Sequence, residues 1–373
     1  MVFSNQDTNR KSLFGEKLKM PDLLNYLDNY NRPITTNLNV ADQMILTRLP
    51  FLPLQDIVAG NLDDEIALPQ ALKQLETQLA NTSEHLLLPN DRILIQKLQT
   101  SFRYEKVSLS NFKIQSPENL DNQCAAITVR VAPHTKIIVF RGADGTTLGW
   151  QSDLQVLYEP NGERWQSFAR NYLEKTMHAN SDNFQIIGYS KGGSMAIYVA
   201  SQIDAKNRIK QVINFDGPKV TSTDDLPETF KTRFQTYLPQ LPFFGIGSAF
   251  TNAPKIVTSM ATGIWQHDLY SWHLHDADPV ILGQSQTTDD FLNHQLCPWI
   301  HKQTRANAQQ FINTFWEILD DTQAVSVNDL LKHWQQVTKA YRKQSSTWDP
   351  VAQQMGKNTL QSAFQIIVSF TPF

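Results

Sequence analysis

Two textures of hydrophobic spacing divide the chain. Up to about residue 105 the apolar positions recur at helical intervals, as Leu23, Leu24 and Leu27, then Met44, Ile45 and Leu49, then Leu72, Leu75 and Leu79. Prolines at 21, 50, 53, 69 and 89 cut between these groups, so the segment reads as short helices joined by loops. From Val107 the texture becomes β-rich, with runs at Cys124–Val131 and Lys136–Phe140, the second almost continuously apolar. A helix with Trp165, Phe168 and Tyr172 on one face follows. Then come a strand at Phe184–Ile187, a helix from Gly192 to Ile203, a strand at Gln211–Phe215 and a last strand at Lys255–Met260. Strand and helix in alternation predict an α/β fold, a mainly parallel central sheet with helices on both faces. After about residue 285 helical spacing returns, with Phe311, Phe315, Ile318 and Leu319 as one stripe, a start signal at Ser326, and Leu330, Leu331 and Trp334 as another. The aromatic stripe is read as core packing, not as a lipid-binding face. The predicted organisation is a helical flank over 1–105, an α/β core over 106–285 and a helical flank over 286–373.

Composition changes this picture little. With 373 residues, 41% of them hydrophobic, the chain can build a substantial core without disulfide or metal staples. The formal charge of -3, from 33 Lys+Arg against 36 Asp+Glu, gives no overall attraction to nucleic acid or to an anionic membrane. Only Cys124 and Cys297 are present, far apart and outside any Cys/His cluster, so no structural metal is expected and a reduced, cytoplasmic setting is the simpler reading. The first residues are polar and charged, without the apolar run of a signal peptide, and no stretch approaches a membrane span. Action on a lipid would therefore be that of a soluble or peripheral protein.

The chemistry concentrates in Gly188-Tyr189-Ser190-Lys191-Gly192-Gly193, a G-x-S-x-G pattern between an apolar strand and a helix. In that context the serine sits on a sharp, strained turn, and Gly188 and Gly192 lack side chains because strand and helix approach too closely for a Cβ. The hydroxyl is then exposed at a helix N-terminus, where the Lys191 amide can meet a developing oxyanion. The plain alternative is a glycine turn in which Ser190 only caps the helix. A phosphate-binding loop is excluded by pattern, since neither G-x-G-x-x-G nor G-x-x-x-x-G-K-[ST] occurs, and no cofactor is expected.

Together with Phe140-Arg141-Gly142-Ala143-Asp144-Gly145, Gly149-Trp150, Asp153, Asn214-Phe215-Asp216-Gly217-Pro218, Gln266-His267-Asp268 and Trp272, this motif resembles a bacterial lipase-like family of the Mbeg type. That family, formerly catalogued as a domain of unknown function, is itself similar to the fungal-type, class 3 lipases. The likeness extends to Asp22–Leu27, Ala41–Val58 and the helices of about 306–334, and so covers most of the chain. It implies an α/β-hydrolase fold and esterase or lipase activity on a small-molecule or lipid ester.

The resemblance also implies an oxyanion hole formed by the backbone N–H groups of Ala143 and Lys191. Ala143 replaces a residue that often adds a hydroxyl in fungal-type lipases, leaving Thr146 or Thr147 as substitutes for that donor. Arg141 and Asp153 read as an ion pair bracing the loop. For the general base, chain order places the histidine after the nucleophile and the acid and near the end of the sheet, a window that holds His267, His273 and His275, and only His267 falls in the family-like segment. The acid that fungal-type lipases carry before an apolar-Pro stretch has no carboxylate equivalent here, because Thr236 occupies the position. Asp216 is the alternative, on the pattern of pancreatic-type lipases that take their acid one strand earlier. Against it stands an Asp that merely braces the Asp-Gly-Pro turn; Asp268, adjacent to His267, would normally point elsewhere, and Asp276 and Asp278 are outside candidates. Leu238–Phe250 reads equally as an apolar lid or as a packed connection. Three functions remain open: ester hydrolysis through an acyl-enzyme on Ser190, acyl transfer from the same intermediate, and a catalytically silent binding protein.

Overall fold

The computed structural model describes residues 22–34, 38–81, 88–115, 124–142, 163–179, 181–204, 206–218, 223–240, 252–261, 266–282, 333–358 and a few positions between 299 and 310. An eight-stranded sheet runs in chain order: β1 (Ile66–Ala67), β2 (Ser108–Gln115), β3 (Cys124–Ala132), β4 (Thr135–Arg141), β5 (Asn183–Tyr189), β6 (Ile209–Phe215), β7 (Phe234–Pro239) and β8 (Lys255–Val257). Its first four strands pair antiparallel, and β4 to β8 pair parallel. A small hairpin follows, β9 (Leu274–His275) with β10 (Asp278–Pro279).

Successive side chains on a strand point to opposite faces, and here both faces are dry. Ile137, Val139, Ile187, Tyr189, Ile213 and Phe215 face one core, while Ile138, Phe140, Phe184, Ile186 and Val212 face another. This two-sided burial is the physical cause of the almost continuous apolar runs. The second core is closed by α5 (Glu163–His178), with Trp165, Ala169, Tyr172 and Leu173, and by α6 (Lys191–Gln202), with Met195, Ala196 and Val199.

The first core is closed from the other end of the chain. Here α1 (Leu23–Asn29), α2 (Val40–Leu46), α3 (Leu68–Asn81) and α4 (Pro89–Thr100) supply Leu23, Met44, Ile45, Leu72, Leu75 and Leu94 to the same cluster as the strands. Polar ties accompany them. Gln43 donates to Gln185 at 3.0 Å and to Gln211 at 2.9 Å, linking α2 to β5 and β6. Buried Asp42 accepts from Tyr26 at 2.9 Å and Tyr104 at 2.7 Å and pairs with Arg103.

An N-terminal segment that covers half the sheet should not melt separately from it. Ile45→Ala, at a fully buried position, is expected to cost about 2–5 kcal/mol in a single transition of the whole described fold. Urea unfolding followed by tryptophan fluorescence and by far-ultraviolet dichroism checks this, since two separate transitions would show that the helices are not integral to the fold.

Two strands depart from the sequence expectation. Asn111 takes a left-handed φ of 51° in β2, and the register shifts between Ser110 and Lys113, so the alternation that would mark a strand is broken there. The segment Thr236-Tyr237-Leu238-Pro239 lies within β7, and Thr236 pairs with Asn214 inside the sheet. The last parallel strand is also shorter than expected. It ends at Val257, and Ser259 continues only as a bridge to Trp272. Toward the C-terminus, α7 (Trp334–Gln344) and the helical turns of 350–358 pack Val337, Tyr341 and Trp348 together. The predicted stripe at Phe311–Leu319 and the turn at Leu330–Leu331 lie outside the described residues. No described helix is long and apolar enough to cross a membrane.

Candidate functional site

Parallel strands deliver their carboxyl ends, and the loops beyond them, to one edge of the sheet, which is where open α/β sheets place ligands. At that edge β5 ends and α6 begins within one residue. Ser190 makes this turn with φ 57° and ψ -137°, a strained conformation for a residue bearing a side chain. The glycines make the turn possible. A Cβ on Gly188 would stand 2.0 Å from the Gly192 carbonyl oxygen, and one on Gly192 would stand 2.2 Å from that of Phe140. Both obstacles are backbone and cannot swing aside. Gly188→Ala is accordingly expected to cost more than about 4 kcal/mol, checked by soluble yield and thermal unfolding; a variant as stable as the parent would contradict this packing.

The helix-cap reading of Ser190 fails, because its side chain makes no capping hydrogen bond to α6. The strain is therefore not explained by capping. Ser190 is also held by its backbone, whose N–H donates to the Phe215 carbonyl at 2.8 Å at the end of β6.

Asp216 comes next, directly after β6. Its N–H donates to the Tyr237 carbonyl at 2.9 Å, its φ is 48°, and it is fully buried. The turn that follows is braced by another residue. Asn214 Oδ1 accepts the Gly217 N–H at 2.8 Å, and Asn214 Nδ2 donates to the Gly217 carbonyl at 2.8 Å. Asn214 thus braces this turn. The carboxylate of Asp216 reaches His267, with Oδ2 2.7 Å from Nδ1. The acid's turn also presses on the serine, since a Cβ on Gly217 would lie 2.1 Å from the Ser190 carbonyl oxygen.

His267 arrives from far along the chain and is held on several sides. Its ring stacks on Tyr189 with centroids 4.6 Å apart and planes at 27°, and its carbonyl accepts the Tyr189 hydroxyl at 2.7 Å. Because Tyr189 immediately precedes Ser190, this contact brings the imidazole to the elbow. On one side of His267, Gln266 accepts from the Trp272 indole at 2.7 Å; on the other, Asp268 Oδ1 accepts the Tyr270 N–H at 3.0 Å, capping a short 3-10 turn (Leu269–Ser271). Burial raises the Asp268 carboxyl above its ordinary value, opposed by that N–H and by the Arg48 charge.

The competing groups lie elsewhere. His273 Nδ1 is 3.1 Å from Thr258 Oγ1, beside β8. His275 and Asp276 are exposed on the hairpin turn, where Asp276 has a φ of 55°, and Asp278 is exposed on β10. Thr236, inside β7, stands one strand beyond Asp216 and offers no carboxylate.

Gly142, at the end of β4, touches the elbow from the third side. A Cβ there would be 3.0 Å from both the Lys191 nitrogen and the Ser190 Cβ. Ala143, Thr146, Thr147 and Asp153 lie outside the described residues, as do 241–250 of the lid-like stretch, while Leu238 and Pro239 belong to β7. Lys191, whose amide opens α6, has its side chain buried. A cavity of about 560 Å³ opens at the opposite edge, by the amino ends of β4 to β8, lined by Thr135, Asn183, Lys210, Arg233 and Lys255 among others, and none of the predicted site residues reaches it.

Tyr189, Asn214 and Tyr270 gained no role from sequence alone. For Asn214 a signal existed, an Asx residue three positions before a glycine in a tight turn. Tyr189 is a variable position of its motif, and Tyr270 carries no local mark.

Fold and site together define a mixed α/β protein that gathers a serine, a histidine and an aspartate at the carboxyl edge of its sheet. The chain belongs to the Mbeg1-like family, whose match spans residues 98–317 and takes in every strand from β2 to β10 and each of the three residues. No curated protein matches the chain.

Proposed function

We propose that this chain has an α/β-hydrolase fold and is a serine hydrolase that cleaves a carboxylic ester through an acyl-enzyme on Ser190. The observation that carries the reading is the 2.7 Å contact between His267 Nδ1 and the buried Asp216, beside a serine on a strained strand-to-helix turn. An imidazole whose Nδ1–H is held by a carboxylate presents Nε2 as the base and is stabilised when it becomes imidazolium. In this reading Ser190 Oγ gives its proton to His267 Nε2 and attacks the ester carbonyl. The oxyanion is met by the Lys191 N–H and by the N–H of Ala143, which directly follows Gly142. His267 then returns the proton to the departing alcohol. Water, activated by the same imidazole, releases the acid and frees Ser190.

Membership of the Mbeg1-like family, in line with the lipase-like resemblance of the sequence motifs, supports the reading. A fluorophosphonate probe tests it directly. The protein is expected to label stoichiometrically and Ser190→Ala not at all, whereas a folded protein that neither labels nor turns over p-nitrophenyl esters of graded chain length would be a silent binding protein. Adding an alcohol acceptor and analysing the products separates hydrolysis from acyl transfer.

A further inference from the structure

We infer that the buried Arg48–Asp91 ion pair of the N-terminal helices is a positioning device for His267, acting through Tyr189 and Tyr270. The inference rests on the catalytic reading of Ser190, Asp216 and His267. Arg48 follows α2 and Asp91 stands in the first turn of α4, and both precede the family match over 98–317. The two side chains are 1% and 0% exposed and meet in a two-pronged contact, Nε to Oδ1 at 3.1 Å and Nη2 to Oδ2 at 2.9 Å.

Such a pair is a poor means of gaining stability, because desolvating two charges offsets much of their attraction, and an apolar pair of like volume does as well. What it supplies is direction. Asp91 Oδ1 also accepts the Tyr270 hydroxyl at 2.9 Å, which pins the 3-10 turn that begins two residues after His267. The Arg48 guanidinium lies 4.4 Å from the centre of the Phe51 ring and 5.8 Å from those of Tyr189 and Tyr270. Phe51 and Tyr189 are themselves 5.7 Å apart, and the imidazole stacks on Tyr189. The ion pair thus grips His267 twice, once through the ring it stacks on and once through the turn that follows it. Arg48 and Asp91 act on His267 through Tyr189 and Tyr270, so both residues are positioning and not catalytic.

The groups facing the pair bear this out. Burial disfavours the Arg48 charge, but Asp91 beside it more than compensates and holds the guanidinium firmly protonated. Burial likewise pushes the Tyr189 and Tyr270 hydroxyls far up, so both remain neutral donors.

The test pairs Arg48→Met/Asp91→Leu, which replaces the ion pair by apolar groups, with Tyr270→Phe, which removes one hydroxyl. Turnover of p-nitrophenyl butyrate is expected to fall about ten- to a hundredfold in kcat, the scale of a small misplacement of a reacting group, with KM little changed. A second readout does not need turnover. The Nδ1–H proton of His267, identified by its loss in His267→Ala, should give a downfield nuclear magnetic resonance signal that broadens through faster solvent exchange in both variants. Unchanged kcat and unchanged exchange in folded variants would overturn the inference. If the double variant does not fold, Tyr270→Phe alone decides on the same two readouts. A parent protein that neither labels nor turns over esters would instead defeat the catalytic reading, while the proton resonance would still show whether the ion pair holds the imidazole.

Discussion

His267→Ala is expected to lower ester turnover by about 10⁶, as much as losing the nucleophile, because the serine hydroxyl and its base act as one unit. Without the imidazole, the Ser190 proton has no acceptor and the departing alcohol has no donor. The fold should survive the change. His267 is held by its own backbone carbonyl on Tyr189 and by the indole bond to Gln266, and these remain when the ring is removed. His273→Ala serves as the control, since that imidazole faces Thr258 and not Asp216. Initial rates on a p-nitrophenyl ester, with thermal unfolding run alongside, decide the matter. A large loss in His273→Ala together with a small one in His267→Ala would reverse the assignment of the base.

Asp216→Asn is the second large effect, at about 10⁴ in kcat with KM nearly unchanged. An amide at this position can donate to Nδ1, which favours the tautomer that turns an N–H, not a lone pair, toward Ser190. It also leaves the imidazolium formed during attack without its counter-charge. Geometry should be preserved, because the turn is braced by the side chain of Asn214 and by the Asp216 N–H bond to Tyr237. Asn214→Leu should behave differently. It leaves the buried Gly217 N–H and carbonyl without that side chain, a loss of about 1–3 kcal/mol for each unmade bond, and it should lower stability and activity together. Thermal unfolding beside kinetics separates the two variants, and near-normal turnover in Asp216→Asn would remove that carboxylate from the mechanism.

How much was legible in advance follows the range of each physical cause. The strands buried on both faces announced themselves as apolar runs, because each residue's need for a dry environment is recorded at its own position. The elbow was legible for the same reason. The close approach of α6 to β5 and to β4 forbids side chains at two positions, two residues either side of Ser190, and glycines there are a local mark. Where local regularity breaks, the signal is lost. The bulge at Asn111 breaks the alternation of β2, and the polar Gln235 and Thr236 make β7 look like a connection although it is a parallel strand.

The site residues divide along the same line. The amino-acid order alone marked a candidate serine with its glycines, and a short set of candidate histidines and carboxylates in the right order. Which of these meet is set by the fold, since Asp216 and His267 are 51 residues apart and come together because β6 lies beside β5 and the chain returns past Tyr189. The same holds for Arg48 and Asp91, 43 residues apart, each an ordinary charged residue until the helices dock on the sheet and exclude water around both. Proximity between distant residues depends on strand order and on how the faces of the sheet are covered, and neither is recorded at any single position of the chain.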